Sequence, residues 1–166
     1  MCRKKSKYQK IPVYEFAFLN ICKDVRSYSE PEIIAQLDKI WAEAVANDEQ
    51  KQILEAGSSE KMHNALTVCA SNGNVVALKW YILKMQTEGE TLMPDKVDKN
   101  GYPPLYVACS RDYKDFTEDD EENEKIGRER RFKIVELLLE INAFTDFASV
   151  HEKMTALHWA AFLGHA

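Results

Sequence analysis

Residues 155–166 read TALHWAAFLGHA, and the rest of the chain can be indexed to them. Leu157, Ala160 and Ala161 recur at i, i+3 and i+4, so in a helix they share one face. Two adjacent small side chains on that face let another backbone come close. Thr155 can cap the helix start, and Gly164 can end it in a left-handed conformation. A helix this short is marginal alone and needs neighbours. The sequence stops at Ala166, before any second helix, so the expectation is the cut edge of a longer helical array.

The same spacing recurs upstream. Leu66, Cys69, Ala70 and Gly73 repeat the pattern, with Thr67 in the place of His158. Leu105, Ala108 and Cys109 repeat it again. Each set is followed by a second apolar helix: Ala77, Leu78, Trp80, Tyr81 and Ile82 after the first, then Ile134, Val135, Leu137, Leu138 and Leu139 after the second. Thr155, Leu157, His158, Ala160, Ala161, Gly164 and His165 resemble the ankyrin-repeat pattern T-P-L-H-x-A-A-x-x-G-H, with Ala156 in place of proline. Asp98, Gly101, Pro104 and Leu105 resemble the D-x-x-G-x-T-P-L turn of that family, with Pro103 in place of threonine.

The resemblance implies an all-α fold, an ankyrin-type helical-repeat solenoid with short hairpin loops and an N-terminal helical cap. It divides the chain into a basic tail at 1–10, the cap at 11–60, one repeat at 61–97, a second at 98–150 and the first helix of a third at 151–166. The family period is about 33 residues. Leu66 to Leu105 is 39, so about six extra residues sit between Leu83 and Val97; Leu105 to Leu157 is 52, so the second repeat carries an acidic insertion at about 111–130. One more extra residue falls near 147–153, where Val150 replaces the turn aspartate and glycine is missing. Asn142 stands where the family has a glycine helix stop.

Before the repeats, residues 11–22 read IPVYEFAFLNIC and are apolar on both sides, so they must dock on something, and the open end of the stack is the expected target. Ser29 and Glu32 form a capping-box pattern ahead of a 3.6-residue period over 31–46. Asp48 can start a second helix holding Ile53 and Leu54 and ended by Gly57, so the pair reads as a degenerate capping repeat.

Two polar stretches frame this apolar pattern. Arg3, Lys4, Lys5, Lys7 and Lys10 make a solvated tail, or a membrane-surface contact if Cys2 is acylated beside them. The insertion is acidic from Asp112 to Glu124 and basic from Lys125 to Arg131, and reads as a flexible solvated loop. Thr117 precedes Glu118, Asp119 and Asp120, a pattern an acid-directed kinase could use, so Thr117 is a candidate phosphosite.

The 166 residues, 45% hydrophobic and 30% charged, fit one domain with a real core, and a net charge of −5 gives no general drive toward nucleic acid. No run of about 18 apolar residues is present. Cys2, Cys22, Cys69 and Cys109 form no CxxC pair, so they read as reduced thiols in a cytoplasmic compartment rather than zinc ligands. No GxSxG, P-loop, HExxH or GxGxxG motif is present, so no catalytic residue, metal or cofactor is expected. His158 and His165 stand where the ankyrin pattern puts histidine and read as framework.

By the same resemblance, the function is a non-catalytic protein–protein interaction module, a scaffold or adaptor that binds a protein partner in the concave groove. The alternative is a regulatory or targeting domain of a larger enzyme or membrane protein, such as an ankyrin-bearing palmitoyltransferase, channel or kinase, with further repeats or domains after Ala166. Partner contacts would fall between framework positions. Those are His63, Ser71 and Asn72; Lys99, Asn100, Tyr102, Ser110 and Arg111; and His151, Met154, Phe162 and Leu163.

Overall fold

Polar side chains at several helix starts and left-handed residues at several helix ends fix where those elements begin and stop. A computed structural model describes residues 13–25, 27–57, 64–98, 100–110, 121–149 and 152–164. Among these the chain is all-helical, with no strand. The helices are α1 (Val13–Lys23), α2 (Glu30–Ala46), α3 (Lys51–Leu54), α4 (Ala65–Asn72), α5 (Val75–Thr87), α6 (Pro104–Ser110), α7 (Glu121–Glu140) and α8 (Ala156–Phe162). A single 3-10 turn, Glu55–Gly57, follows α3.

The helices form two rows. In the first, α1 packs on α4, α4 on α6 and α6 on α8; in the second, α2 packs on α5 and α5 on α7. Three first-row helices also pack on the second-row helix that follows them, α1 on α2, α4 on α5 and α6 on α7. The core lies between the rows. Phe18, Leu37, Leu66, Leu78, Tyr81, Ile134 and Leu138 are fully buried in it.

Small residues make the first row close-packed. Ala65, Cys69, Ala70 and Ala108 are completely buried, and their short side chains let neighbouring backbones approach. Asn64 caps α4, its Oδ1 accepting from the Leu66 amide at 2.9 Å, while its Nδ2 donates to the Lys96 carbonyl at 2.8 Å. Gly73, at φ 67°, ends the helix in the left-handed region. Asn74 then caps α5 through the Ala77 amide and donates to the Ile21 carbonyl at 3.0 Å, which ties the end of α1 to the start of α5.

The N-terminal pairing differs from the sequence expectation. Helix α1 docks as its apolar surface requires, burying Phe18, Leu19, Ile21 and Cys22 and leaving Val13 and Phe16 exposed. Yet its partner in the pair is α2. The helix expected from Asp48 shrinks to one turn, because Asp48 itself adopts φ 56° while the Glu49 amide closes back on the Ala44 carbonyl at 2.8 Å. Asp48 therefore terminates α2 instead of starting α3. The expected capping box at Ser29 is present, with the Ser29 amide donating to Glu32 Oε2 at 2.7 Å. The Ser29 hydroxyl, and after it that amide, hold the Glu32 carboxyl below its ordinary range.

The acidic insertion is also corrected. Residues 121–130 are not a loop but the first half of α7. Glu121 and Glu124 precede Lys125 and Arg128 by four residues, the order that favours a helix, and the apolar part of α7 already supplies the nucleus. Residues 111–120, which include Arg111 and Thr117, lie outside the described residues. The helix ends as expected at Asn142, which takes φ 63° while the Ala143 amide donates to the Leu138 carbonyl at 2.9 Å.

A third correction falls on α8. Leu66 and Leu105 are 1% and 3% exposed, but Leu157 at the matching position is 76% exposed. Ala161 is exposed as well, so of the expected face only Ala160 packs on the core. Ala156 and Trp159 carry the rest of the packing. Among the described residues, α4 and α6 each have a following second-row helix and α8 has none, so the same face meets solvent.

Candidate interaction surface

Two tight turns, one before α6 and one before α8, place the side chains of the site. In the first, the Asp98 amide donates to the Tyr102 carbonyl and the Gly101 amide to the Asp98 carbonyl, both at 3.0 Å. Asp98 Oδ1 also accepts from the amides of Asn100 at 2.8 Å and Tyr102 at 3.0 Å. Gly101, at φ 81°, takes the left-handed position this geometry needs. In the second turn the Ser149 amide donates to the Met154 carbonyl at 2.9 Å. Ser149 replaces the missing aspartate from one residue earlier, its Oγ accepting from the Glu152 amide at 3.2 Å. Lys153 takes the left-handed position, at φ 57°. The second turn thus closes over one more residue than the first, where the spacing places the extra one.

Glu152 sits at the tip of the second turn and reaches back to the first. Its Oε1 accepts from the Tyr102 hydroxyl at 3.0 Å, and its Oε2 accepts from the Tyr106 hydroxyl and from Ser149 Oγ. Tyr106 in turn accepts from Trp159 Nε1 at 2.6 Å. A chain of hydrogen bonds therefore runs from Trp159 through Tyr106 to Glu152. Bonds in such a chain polarise one another and hold each ring in one orientation.

The rings form a continuous strip. Tyr102 stacks on Tyr106 with centroids 4.8 Å apart and planes 2° apart. Tyr106 meets Trp159 at 6.3 Å, and Trp159 meets Phe162 at 5.7 Å, both edge to face. Tyr106 is buried, Tyr102 and Trp159 are half-buried, and Phe162 is 73% exposed. Both phenols are held protonated to higher pH than an ordinary tyrosine. For Tyr102 the main cause is its bond to Glu152; for Tyr106 it is burial, then Glu152. Glu152 accepts from three hydroxyls, and these bonds orient the strip.

The residues expected to contact a partner fall into two groups. Asn100, Tyr102 and Met154 belong to the turns, Asn100 fixed by Asp98 and Met154 by its carbonyl. Ser71, Ser110 and Phe162 occupy matching positions in α4, α6 and α8, with Asn72 and Leu163 one residue further on. Asn72 Nδ2 donates to the Val68 carbonyl at 2.8 Å, and Ser110 Oγ donates to the Val107 carbonyl at 3.4 Å, so both amide and hydroxyl serve their own helix ends. The aromatic strip bridges the groups, from Tyr102 in a turn to Phe162 at a helix end. His63, Lys99, Arg111 and His151 lie outside the described residues.

Sequence reasoning reads Trp159 as a core or groove aromatic and passes over Tyr106, Ser149 and Glu152. Tyr106 was available as a signal, since it occupies the framework position that holds Thr67 and His158 in the other two helices. His158 caps its own helix, its Nδ1 accepting from the Thr155 amide at 3.1 Å across the start of α8. No cluster of His, Cys, Asp or Glu able to hold a metal occurs among the described residues, and none of their helices is long and apolar enough to cross a membrane. No family model, curated protein or solved structure matches the chain.

Proposed function

We propose that the chain is an ankyrin-type protein-interaction module that binds a protein partner on the face formed by the two turns and the first-row helices. One observation carries this reading: a strip of four aromatic rings, locked by Glu152 and ending in the exposed Phe162. Tyrosine and tryptophan side chains are enriched at binding hot spots, and rings already held in one orientation lose little entropy on binding. The two-row arrangement and the turns before α6 and α8 support the ankyrin resemblance. Buried, unbridged Cys22, Cys69 and Cys109 are in keeping with a reducing, cytoplasmic setting.

The test is affinity capture with quantitative mass spectrometry, comparing the unmodified chain with Phe162→Ser and with Tyr102→Ala. Both variants should keep the helical circular-dichroism spectrum, because Phe162 is exposed and Tyr102 is half-buried at a turn. Capture of the specific partner should fall at least tenfold. Unchanged capture by both variants would show that the aromatic strip is not the binding face.

A further inference from the structure

The second row carries a separate surface. Between α2 and α7, with α5 as its floor, runs an open groove of about 820 Å³. Val76, Trp80 and Leu83 line its floor, while Ile34 on α2 and Ile126 on α7 form its apolar walls. Leu83 is 57% exposed, and Ile34 and Ile126 are exposed as well. Trp80 is held in place from two sides. Its Nε1 donates to Asp38 Oδ1 at 2.9 Å, and Lys84 Nζ lies 5.4 Å from its ring centroid. Those two charges are thereby committed to the floor.

The remaining charges are divided by wall. Lys79, Arg130 and Lys133 stand on the α5 and α7 side with a single acid, Glu129; Glu30 stands on the α2 side. One wall is therefore positive on a chain whose net charge is −5. We propose that this groove docks an amphipathic helix from a protein partner, with apolar residues facing Trp80 and Leu83 and acidic residues along the flank that meets Lys79, Arg130 and Lys133. The charge pattern selects the acidic flank and its side. The floor residues selected by spacing, at i, i+4 and i+7 along α5, span about 10 Å, which matches the apolar stripe of a helix of two to three turns. No sheet edge occurs among the described residues to which an extended segment could add as a strand. This surface is built from α2, α5 and α7, whereas the aromatic strip is built from α6, α8 and their turns, so each can fail without the other.

Fluorescence anisotropy with the full chain tests it. The probes are three fluorescein-labelled 15-residue helical peptides: a leucine stripe flanked by glutamate, the same stripe flanked by lysine, and the glutamate flank with alanine in the stripe. At about 0.1 M salt the leucine–glutamate peptide should bind at least tenfold tighter than either control. Lys79→Glu with Lys133→Glu, both on exposed residues, should reduce that affinity at least tenfold. Leu83→Ser should also weaken it, and Phe162→Ser should leave it unchanged. Equal binding of the glutamate and lysine peptides, no binding of either, or binding that survives the double charge reversal overturns the proposal. So does binding to phosphatidylserine vesicles with none to the peptides, which would assign the positive wall to a lipid surface.

Discussion

Helices α4 and α8 carry the same sequence pattern and have opposite fates. Both start with a capping side chain, Asn64 in one and Thr155 in the other, and both end at a left-handed glycine. Leu66 and Leu157 occupy the same place in that pattern, yet Leu66 is 1% exposed and Leu157 76%. The leucine is the same residue at the same helix position, so its own type does not produce the difference. What differs is the neighbourhood: α4 lies between α1 and α6 with α5 behind it, whereas α8 packs on α6. Local pattern dictates which face a helix offers, and burial depends on whether another element accepts it.

Truncating the leucine in each helix gives the largest expected contrast. Leu66→Ala should cost roughly 2–5 kcal/mol, because the surrounding core can close only part of the cavity. Leu157→Ala removes a side chain that is mostly in water and should stay within about 0.5 kcal/mol of the unmodified chain. Urea denaturation read by circular dichroism measures both. Similar losses would mean that α8 is covered in solution by an element the structure does not place there.

The last small residue of the pattern gives a chemical version of the same comparison. It is Cys109 in α6 and Ala161 in α8. Burial raises the Cys109 thiol from 9.0 to about 11, opposed only in part by Arg131. Its folded pKa exceeds its unfolded one, so the stability linked to it is intact below pH 9 and is lost as pH rises toward 11. That loss is on the order of 2 kcal/mol by the usual conversion of pKa differences. Denaturation midpoints measured from pH 8 to 10.5 should fall more steeply for the natural chain than for Cys109→Ala. A thiol introduced by Ala161→Cys lies in solvent and should be alkylated within minutes at pH 8, with Cys109 untouched. Alkylation of Cys109 at a comparable rate would show that the first row opens readily.

Much of this architecture was legible because it is written in local chemistry. Caps at Ser29 and Thr155, stops at Gly73, Asn142 and Gly164, and the apolar spacing of α2 and α5 each follow from a few adjacent residues. The misses share another origin. The exposure of Leu157 depends on what lies beside α8. The pairing of α1 with α2 depends on Asp48 ending a helix, although aspartate more often begins one. The start of α7 at Glu121 was hidden by composition, since the same charges that suggest a solvated loop also favour a helix once a nucleus adjoins them. The site was the least legible part. Glu152 gathers Tyr102 and Ser149 from two turns and Tyr106 from α6, and it enters no sequence pattern.

The two turns narrow the comparison to one residue each, with the smallest expected effect. Gly101 and Lys153 both adopt positive φ, 81° and 57°. Space is not the issue at Gly101, where an added Cβ would meet nothing within 4 Å. The cost of Gly101→Ala is then about 1–2 kcal/mol of backbone conformation, offset by about 0.5–1 kcal/mol of unfolded-state entropy, a net loss of about 0.5–1 kcal/mol. At Lys153 that cost is already present in the natural chain. Replacing it by glycine relieves about 1–2 kcal/mol of left-handed strain and adds about 0.5–1 kcal/mol of unfolded-state entropy. The net expectation is a gain of about 0.5 kcal/mol, opposite in sign to the change at Gly101. Thermal melts of the two single variants decide it. If Lys153→Gly destabilises, the lysine side chain contributes contacts that offset its strain, and the second turn is held by more than the bonds of Ser149.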